Sequence, residues 1–546
     1  MHCHSILGLP LLLAVFACTP CITLNAQDIS LPKTVPESSN YSETSRVADV
    51  KRFVDECVGL PQGNRLTVSV AGKSTKGREM LMVKVARPQP SKEPRLRALV
   101  IGNIHAGEVE GKEAVQELLR EFATGKHDQI LQHFDLWFIP IYNLDGNEAV
   151  KIGNRRGQNG PDVVGQRPNG QGLDLNRDFV KADAPETRTI LGLFRSLDPH
   201  LFVDLHTTNG SHHGYHLTYA PSLSTNLEQG IDRFGRGLLA YAREEMKSQG
   251  FDVFDYGNFE TKDWDGGGAP SSDKEIRGWF TYDHRARYGI NYYGLRNRIG
   301  ILSEAYSYAD FKTRIAATRA FVLTLLEGMV SKKDQAIATM AAADQRAISG
   351  NGAIYLGTDT HFAEPEHLPI LTGKVSREGG RMGKPLRFAR IAESTPETLP
   401  VARRFRSLKQ TRLPTAWAIK APTKDVLERL TWHGIEFRTI TVPQEAAAKE
   451  FAVTKKRKPK RPYQGHQELL IEGQWLDSKI QKLPAGAIII PANQRLASLA
   501  ATLLEPTSED SLSSWNFFEA ATDKFYPVLR LTEFQARPRQ EKKAGN

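Results

Sequence analysis

His105-Ala106-Gly107-Glu108 places an imidazole and a carboxylate three residues apart, close enough for one turn of chain to grip a single cation. Taken alone, the pair reads as readily as a surface ion pair at the start of a helix. A catalytic zinc site takes three protein ligands and keeps an open position for water, and two histidines with one glutamate are a standard set. The third ligand must then come from elsewhere in the chain. His206, in Val203-Asp204-Leu205-His206-Thr207-Thr208, closes an apolar run and is the preferred candidate. His212, His213 and His216 compete with it, but they stand in a Gly- and Ser-containing loop of less fixed geometry. A histidine ending an apolar strand can also be no more than a satisfied core residue.

Such residues need rigid elements to hold them. Leu96 to Ile101 is an apolar run ending at Gly102-Asn103, and Phe134 to Ile141 is a second, closed by the turn Asn143-Leu144-Asp145-Gly146. Leu201 to Leu205 and Ile299 to Leu302 are a third and a fourth. Between the first two, Gly111 to Gly125 carries Ala114, Val115, Leu118, Leu119 and Phe122 on one helical face. Continuous apolar strands separated by helices predict an α/β fold, a mainly parallel mixed sheet flanked by helices. In such sheets the site forms beyond the carboxyl ends of the strands. His105 follows the first strand, His206 ends the third, and Glu304 follows the fourth. That coincidence points to a catalytic site.

The ordered series HxxE, Gly172-Leu173-Asp174-Leu175-Asn176-Arg177-Asp178-Phe179, Asp204-Leu205-His206 and Leu302-Ser303-Glu304 resembles the zinc carboxypeptidase family, the carboxypeptidase A-like metallopeptidases. Four motifs in one order say more than any one of them. The resemblance spans roughly residues 47 to 330 and is that of a bacterial exported member with a C-terminal extension. It implies one zinc ion per chain, held by His105, Glu108 and His206. It implies Glu304 as the general base toward a zinc-activated water, and Asn176 with Arg177 as the holders of a substrate's free C-terminal carboxylate. A guanidinium fork beside an amide donor suits that planar anion, and lysine would not replace it well. An upstream arginine of the family stabilises the oxyanion. In Asn154-Arg155-Arg156-Gly157 we assign it to Arg155, with Arg156 in reserve. The family's mobile tyrosine is less easily placed. Tyr282 fits by its distance before Glu304, while Tyr292 and Tyr293 stand in a second candidate segment.

The implied activity is hydrolysis of the C-terminal peptide bond of peptides by an exported metallocarboxypeptidase. Two alternatives belong beside it: a zinc amidase acting on acyl-amino acids or cell-wall peptides, and a non-catalytic envelope-binding protein. The extended block around Asn176-Arg177 favours the first reading, because it provides for a peptide carboxylate.

At 546 residues the chain exceeds what one hydrophobic core usually serves. We expect a signal peptide at 1–26, a linker at 27–46, a catalytic domain at 47–335 and a β-rich C-terminal accessory domain at 351–546. The apolar stretch Ile6 to Ala17 is too short for a membrane-spanning helix and suits a leader, with cleavage after Ala26 and a periplasmic or extracellular destination. Val15-Phe16-Ala17-Cys18 offers lipid attachment at Cys18 as the lesser alternative. Cys57 alone follows the leader, so no intramolecular disulfide and no thiolate metal cluster is expected in the mature chain. Lys and Arg total 72 against 62 Asp and Glu, a net charge of +10. The excess is dispersed except at Lys455 to Arg461, and no nucleic-acid motif accompanies that run, which reads as a solvated loop. No later segment is apolar and long enough to span a membrane.

Overall fold

The computed structural model describes residues 1, 30–89, 93–259, 277–350, 354–379, 387–390 and 393–533. All of the leader but Met1, with its cleavage site and Cys18, lies outside the described residues.

Eight strands form the central sheet: β1 (Leu66–Lys73), β2 (Glu79–Val85), β3 (Leu96–Gly102), β4 (Phe134–Ile139), β5 (Leu201–Thr207), β6 (Leu217–Pro221), β7 (Val253–Asp255) and β8 (Ile299–Ala305). Their order across the sheet is β1-β2-β4-β3-β5-β8-β6-β7. The central four, β4-β3-β5-β8, run parallel, and antiparallel neighbours flank them. Every residue of β5 is buried. A strand covered on both faces must be apolar throughout, which is why the parallel strands show as continuous hydrophobic runs.

Helices cover the sheet: α1 (Val47–Val58), α2 (Glu110–Ala123), α3 (Pro185–Ser196), α4 (Gln229–Ser248), α5 (Phe311–Ser331) and α6 (Lys333–Ser349). In α2, Glu110 and Glu113 lie in the first turn and Arg120 in the last, complementing the helix dipole, and Val115, Leu118, Leu119 and Phe122 turn inward. Gly111 lets this helix approach β5, since a Cβ there would come within 2.7 Å of Leu205 Cβ. That close approach brings the start of α2, and Glu108 just before it, to the end of β5.

The stretch read as a linker lies against α2. Glu37 pairs with Arg120 at 2.7 Å, and the buried Ser45 donates to Glu113 Oε2 at 2.7 Å.

Beyond α6 the chain is rich in short strands. Helix α7 (Lys424–His433) and helix α8 (Ala497–Leu504) accompany strands β9 (Ala416–Ile419), β10 (Arg438–Thr439), β11 (Gln444–Lys449), β12 (Phe451–Arg457), β13 (Leu470–Trp475), β14 (Lys479–Leu483), β15 (Ile488–Pro491) and β16 (Val528–Leu531). Six of these make a second sheet, β10-β15-β9-β16-β11-β14, while β12 and β13 form a separate antiparallel ribbon. The fold is thus α/β with a β-rich C-terminal region. One hydrophobic cluster runs from Phe53 through the central sheet to Trp417, Leu499 and Trp515, so the two halves share a core. Among the described residues no helix is long and apolar enough to cross a membrane.

Candidate functional site

Strand β3 ends at Gly102, and the following turn swings His105 and Glu108 over the carboxyl edge of the sheet. His206 stands near the end of β5, in register with Glu304 on the neighbouring parallel strand β8. Parallel pairing in register puts both side chains on one face, so the sheet itself fixes the distance between them.

His105, Glu108 and His206 converge, with one ligand atom from each lying within 4.8 Å of the others. His105 Nδ1 is 3.0 Å from Glu108 Oε1, and His206 Nδ1 is 2.9 Å from Glu108 Oε2. The far ring nitrogens face carboxylates: His105 Nε2 lies 3.0 Å from Asp174 Oδ1, and His206 Nε2 lies 2.9 Å from Asp204 Oδ2. The second contact lacks hydrogen-bond alignment and stands as an ion-pair distance only. A carboxylate at Nε2 favours the proton there, which leaves the Nδ1 lone pair for a metal.

The electrostatics suit a cation. Burial would raise the Glu108 carboxyl, but Arg155 and His105 outweigh it and hold it well below the usual carboxylate range. Asp174 is likewise lowered against burial by His105, Arg167 and Arg177. Burial opposes a charge on His206, yet Asp204 and Glu108 drive its pKa well above the ordinary imidazole value. Three carboxylates around two imidazoles draw in positive charge, which a divalent ion supplies in place of protons. The donor set therefore fits zinc.

The competing histidines are engaged elsewhere. His213 is buried 4.3 Å from the Tyr306 ring and accepts from the Tyr215 N–H, and burial lowers its pKa to about 3. His216 Nδ1 accepts from the Asp252 N–H at 3.0 Å, and His212 lies beside Tyr308.

A cavity of about 430 Å³ opens over the cluster, lined by Arg155, Arg167, Asn176, Arg177, Tyr282 and Glu304 among others. Asn176 and Arg177 sit on a single helical turn, Leu175–Arg177, capped by the Asp174 carboxylate. Asn176 Oδ1 accepts from the Gly289 N–H at 2.9 Å, so its NH₂ is the end left for a ligand. The Arg177 guanidinium lies 4.0 Å from the Tyr288 ring centroid, which holds its plane. Burial pushes Glu304 up to about 8, with His206 pulling it down and Glu108 adding to the rise.

Arg155 lies in the cavity wall with three of its five N–H donors engaged. It bonds Glu108 Oε1 at 2.7 Å and the carbonyls of Thr207 and Thr208 at 2.7 and 3.0 Å. Arg156 is exposed. Sequence reasoning passed over Arg167, whose Nη2 pairs with Asp174 at 2.8 Å and whose Nη1 lies 3.7 Å from Glu108. Tyr282 lines the cavity, its hydroxyl donating to Asn291 Oδ1 at 3.3 Å, whereas Tyr292 and Tyr293 are buried against His433 and Pro199. Asp174 and Asp204 were also missed as partners of the imidazoles. Asp204 was findable, because two residues before His206 on a strand is the same face. Tyr463 and Gln464 complete the wall from the far half of the chain.

Residues 60–299 match the zinc carboxypeptidase family. Those residues form a zinc carboxypeptidase domain within the chain. Zinc is the metal of zinc carboxypeptidases, and the reaction class is that of a metallocarboxypeptidase acting on peptides. Over 481 residues the chain is 25% identical to carboxypeptidase 2 of Trichophyton equinum, covering 84% of this chain and 81% of that protein. A shorter stretch of 156 residues is 32% identical to human carboxypeptidase Z, covering 27% of this chain and 23% of that one. Among solved structures, a metallo-carboxypeptidase from Burkholderia cenocepacia superposes with a TM-score of 0.41 at 15% identity, covering 53% of this chain and 71% of that chain.

Replacing a candidate ligand tests the centre directly. His206→Ala is expected to leave zinc well below one ion per chain by metal analysis, and a chelator to abolish wild-type activity until zinc is restored. Full zinc retention by the variant would reassign the ligand to a later histidine.

Proposed function

We propose that this carboxypeptidase is exported and removes single residues from peptides bearing a free C-terminal carboxylate. The carrying observation is one cavity in which the His105-Glu108-His206 cluster, Glu304 and the anion donors Asn176 and Arg177 all converge. Export rests on the apolar leader, with lipid attachment at Cys18 as the alternative arrangement.

His105, Glu108 and His206 hold the zinc, which when bound acts as a Lewis acid that acidifies water and polarises a carbonyl. Asn176 NH₂ and the Arg177 guanidinium take the terminal carboxylate and so set the register of the scissile bond. Glu304 accepts the proton of the attacking water and delivers it to the leaving amine. Arg155 and Arg167 both line this wall and hold the oxyanion, three of the five Arg155 donors being engaged by Glu108 and two carbonyls. Arg155 thereby keeps Glu108 in place. Tyr282, which lines the same cavity, covers the substrate.

Amidating the C-terminus of a good peptide substrate tests this arrangement. A neutral amide leaves the guanidinium without its anion, and kcat/KM should fall on the order of 10²-fold. Equal cleavage of acid and amide would make the enzyme an endopeptidase or amidase.

A further inference from the structure

The cavity has a contributor more than two hundred and fifty residues along the chain from every one of its candidate metal ligands. Strands β12 and β13 are joined by a loop whose tip, Tyr463-Gln464-Gly465-His466, is a tight turn. The His466 N–H donates to Tyr463 O at 3.0 Å, and the Tyr463 N–H returns a bond to His466 O at 2.8 Å. Gln464 has φ 48° and Gly465 φ 84°, the pair of left-handed residues that a type I′ turn requires. Asn, Asp or Gly usually fills the first of these positions. Glutamine there gains nothing locally, so its side chain is the place to look for a reason.

That side chain reaches the active site. Gln464 Oε1 accepts the Asp174 N–H at 2.8 Å, at the head of the turn that carries Asn176 and Arg177. A backbone N–H demands the amide oxygen, so the orientation of the amide is fixed and its NH₂ is directed away from Asp174 N. Gln464 lines the same cavity as Arg167 and Arg177.

The turn is anchored rather than loose. His466 Nε2 lies 2.7 Å from Asp183 Oδ2, and its Nδ1 lies 2.9 Å from Asn516 Oδ1. Tyr463 stacks on Trp515, and the Arg287 guanidinium sits 5.4 Å from the Tyr463 ring.

We propose that Gln464 is a specificity-determining residue of the peptidase site, its NH₂ donating to the carboxylate-bearing terminal residue of the substrate beside Asn176 and Arg177. The inference rests on the carboxypeptidase reading above and extends it. The β12–β13 loop is then a wall of the substrate pocket supplied by the C-terminal half, and the basic run Lys455 to Arg461 is the strand and loop that deliver it.

Gln464→Glu isolates the donor. It keeps an oxygen for the Asp174 N–H and replaces only the NH₂, setting an anion against the substrate carboxylate. In the full-length, zinc-loaded protein, KM for an unblocked peptide should rise about tenfold to a hundredfold, with kcat and zinc content little changed. Gln464→Met removes the donor, together with the acceptor for the Asp174 N–H, without adding charge and should raise KM severalfold. An unchanged KM in Gln464→Glu overturns the proposal. A rise in Gln464→Glu with none in Gln464→Met reduces the effect to distant charge and overturns it equally. Loss of zinc in both variants would show that Gln464 acts only by supporting Asp174 and His105. If the wild type cuts no unblocked peptide, it is the carboxypeptidase reading itself that fails, independently of Gln464.

Discussion

Glu304→Gln is expected to keep its zinc and lose on the order of 10²–10⁴ in kcat, the usual worth of a positioned general base. The substitution is nearly isosteric, and β8 is buried between β5 and β6, so the backbone that places residue 304 should not move. His105, Glu108 and His206 are untouched, and metal analysis should match the wild type. What changes is proton chemistry. An amide has no lone pair basic enough to take a proton from water, and it cannot return one to the leaving amine. The loss should therefore appear in kcat, with KM for an unblocked peptide nearly constant because Asn176 and Arg177, the proposed holders of the carboxylate, are untouched. The register with His206 makes the position specific: one residue either way along β8 points to the other face of the sheet. A near-normal kcat would remove Glu304 from the proton path.

Much of this site was legible because the chemistry lies at the ends of buried parallel strands. Leu96 to Ile101, Leu201 to Leu205 and Ile299 to Leu302 stand out as apolar runs, and they correspond to β3, β5 and β8. Their carboxyl ends then pick out His105, His206 and Glu304. The outer strands β1 and β2 were not read, since β1 is exposed along most of its length and offers no continuous apolar run. Asn143 to Gly146 reads as a turn in the sequence but opens a short helix, Leu144–Glu148, with the Asn143 side chain accepting from the Gly146 N–H. Arg155 and Arg167 cannot be ranked from spacing, because both reach the cavity and both spend part of their donors on a carboxylate, Glu108 and Asp174 respectively. Gln464 was invisible for a different reason. Its partner Asp174 is distant in sequence, and nothing in Tyr463-Gln464-Gly465 beyond a turn signal marks the segment as part of a site. The four motifs are also local in a way the C-terminal region is not, and this bears on whether that region is an accessory.

A chain ending at Gln335 should fail to fold into a zinc-loaded, active enzyme. Tyr292, fully buried on the helical segment Gly289–Gly294, hydrogen-bonds His433 Nδ1 at 2.8 Å, and Arg296 donates to the His433 carbonyl at 2.9 Å. His433 closes the circuit with its Nε2 2.9 Å from the carbonyl of Val180, close to the Asn176-Arg177 turn. Arg287 is paired with Asp510 at 3.1 Å and Glu468 at 3.1 Å, and Asp183 with Arg429 at 2.7 Å. The strand Trp279–Phe280, just before Tyr282, pairs with Val401 and Ala402 of the C-terminal half. Cutting at Gln335 also removes α6, whose Asp344 holds Arg298 at 2.9 Å. Each large apolar side chain newly exposed costs about 1.5–3 kcal/mol, so a handful of them matches the whole stability of an ordinary domain, roughly 5–15 kcal/mol. The exposed patch would also favour aggregation. The expected outcome is recovery in the insoluble fraction, or soluble protein without zinc. A truncated chain that is soluble, binds zinc and cleaves a short unblocked peptide with wild-type KM would show that the C-terminal half is separable, and would count against Gln464 as part of the pocket as well.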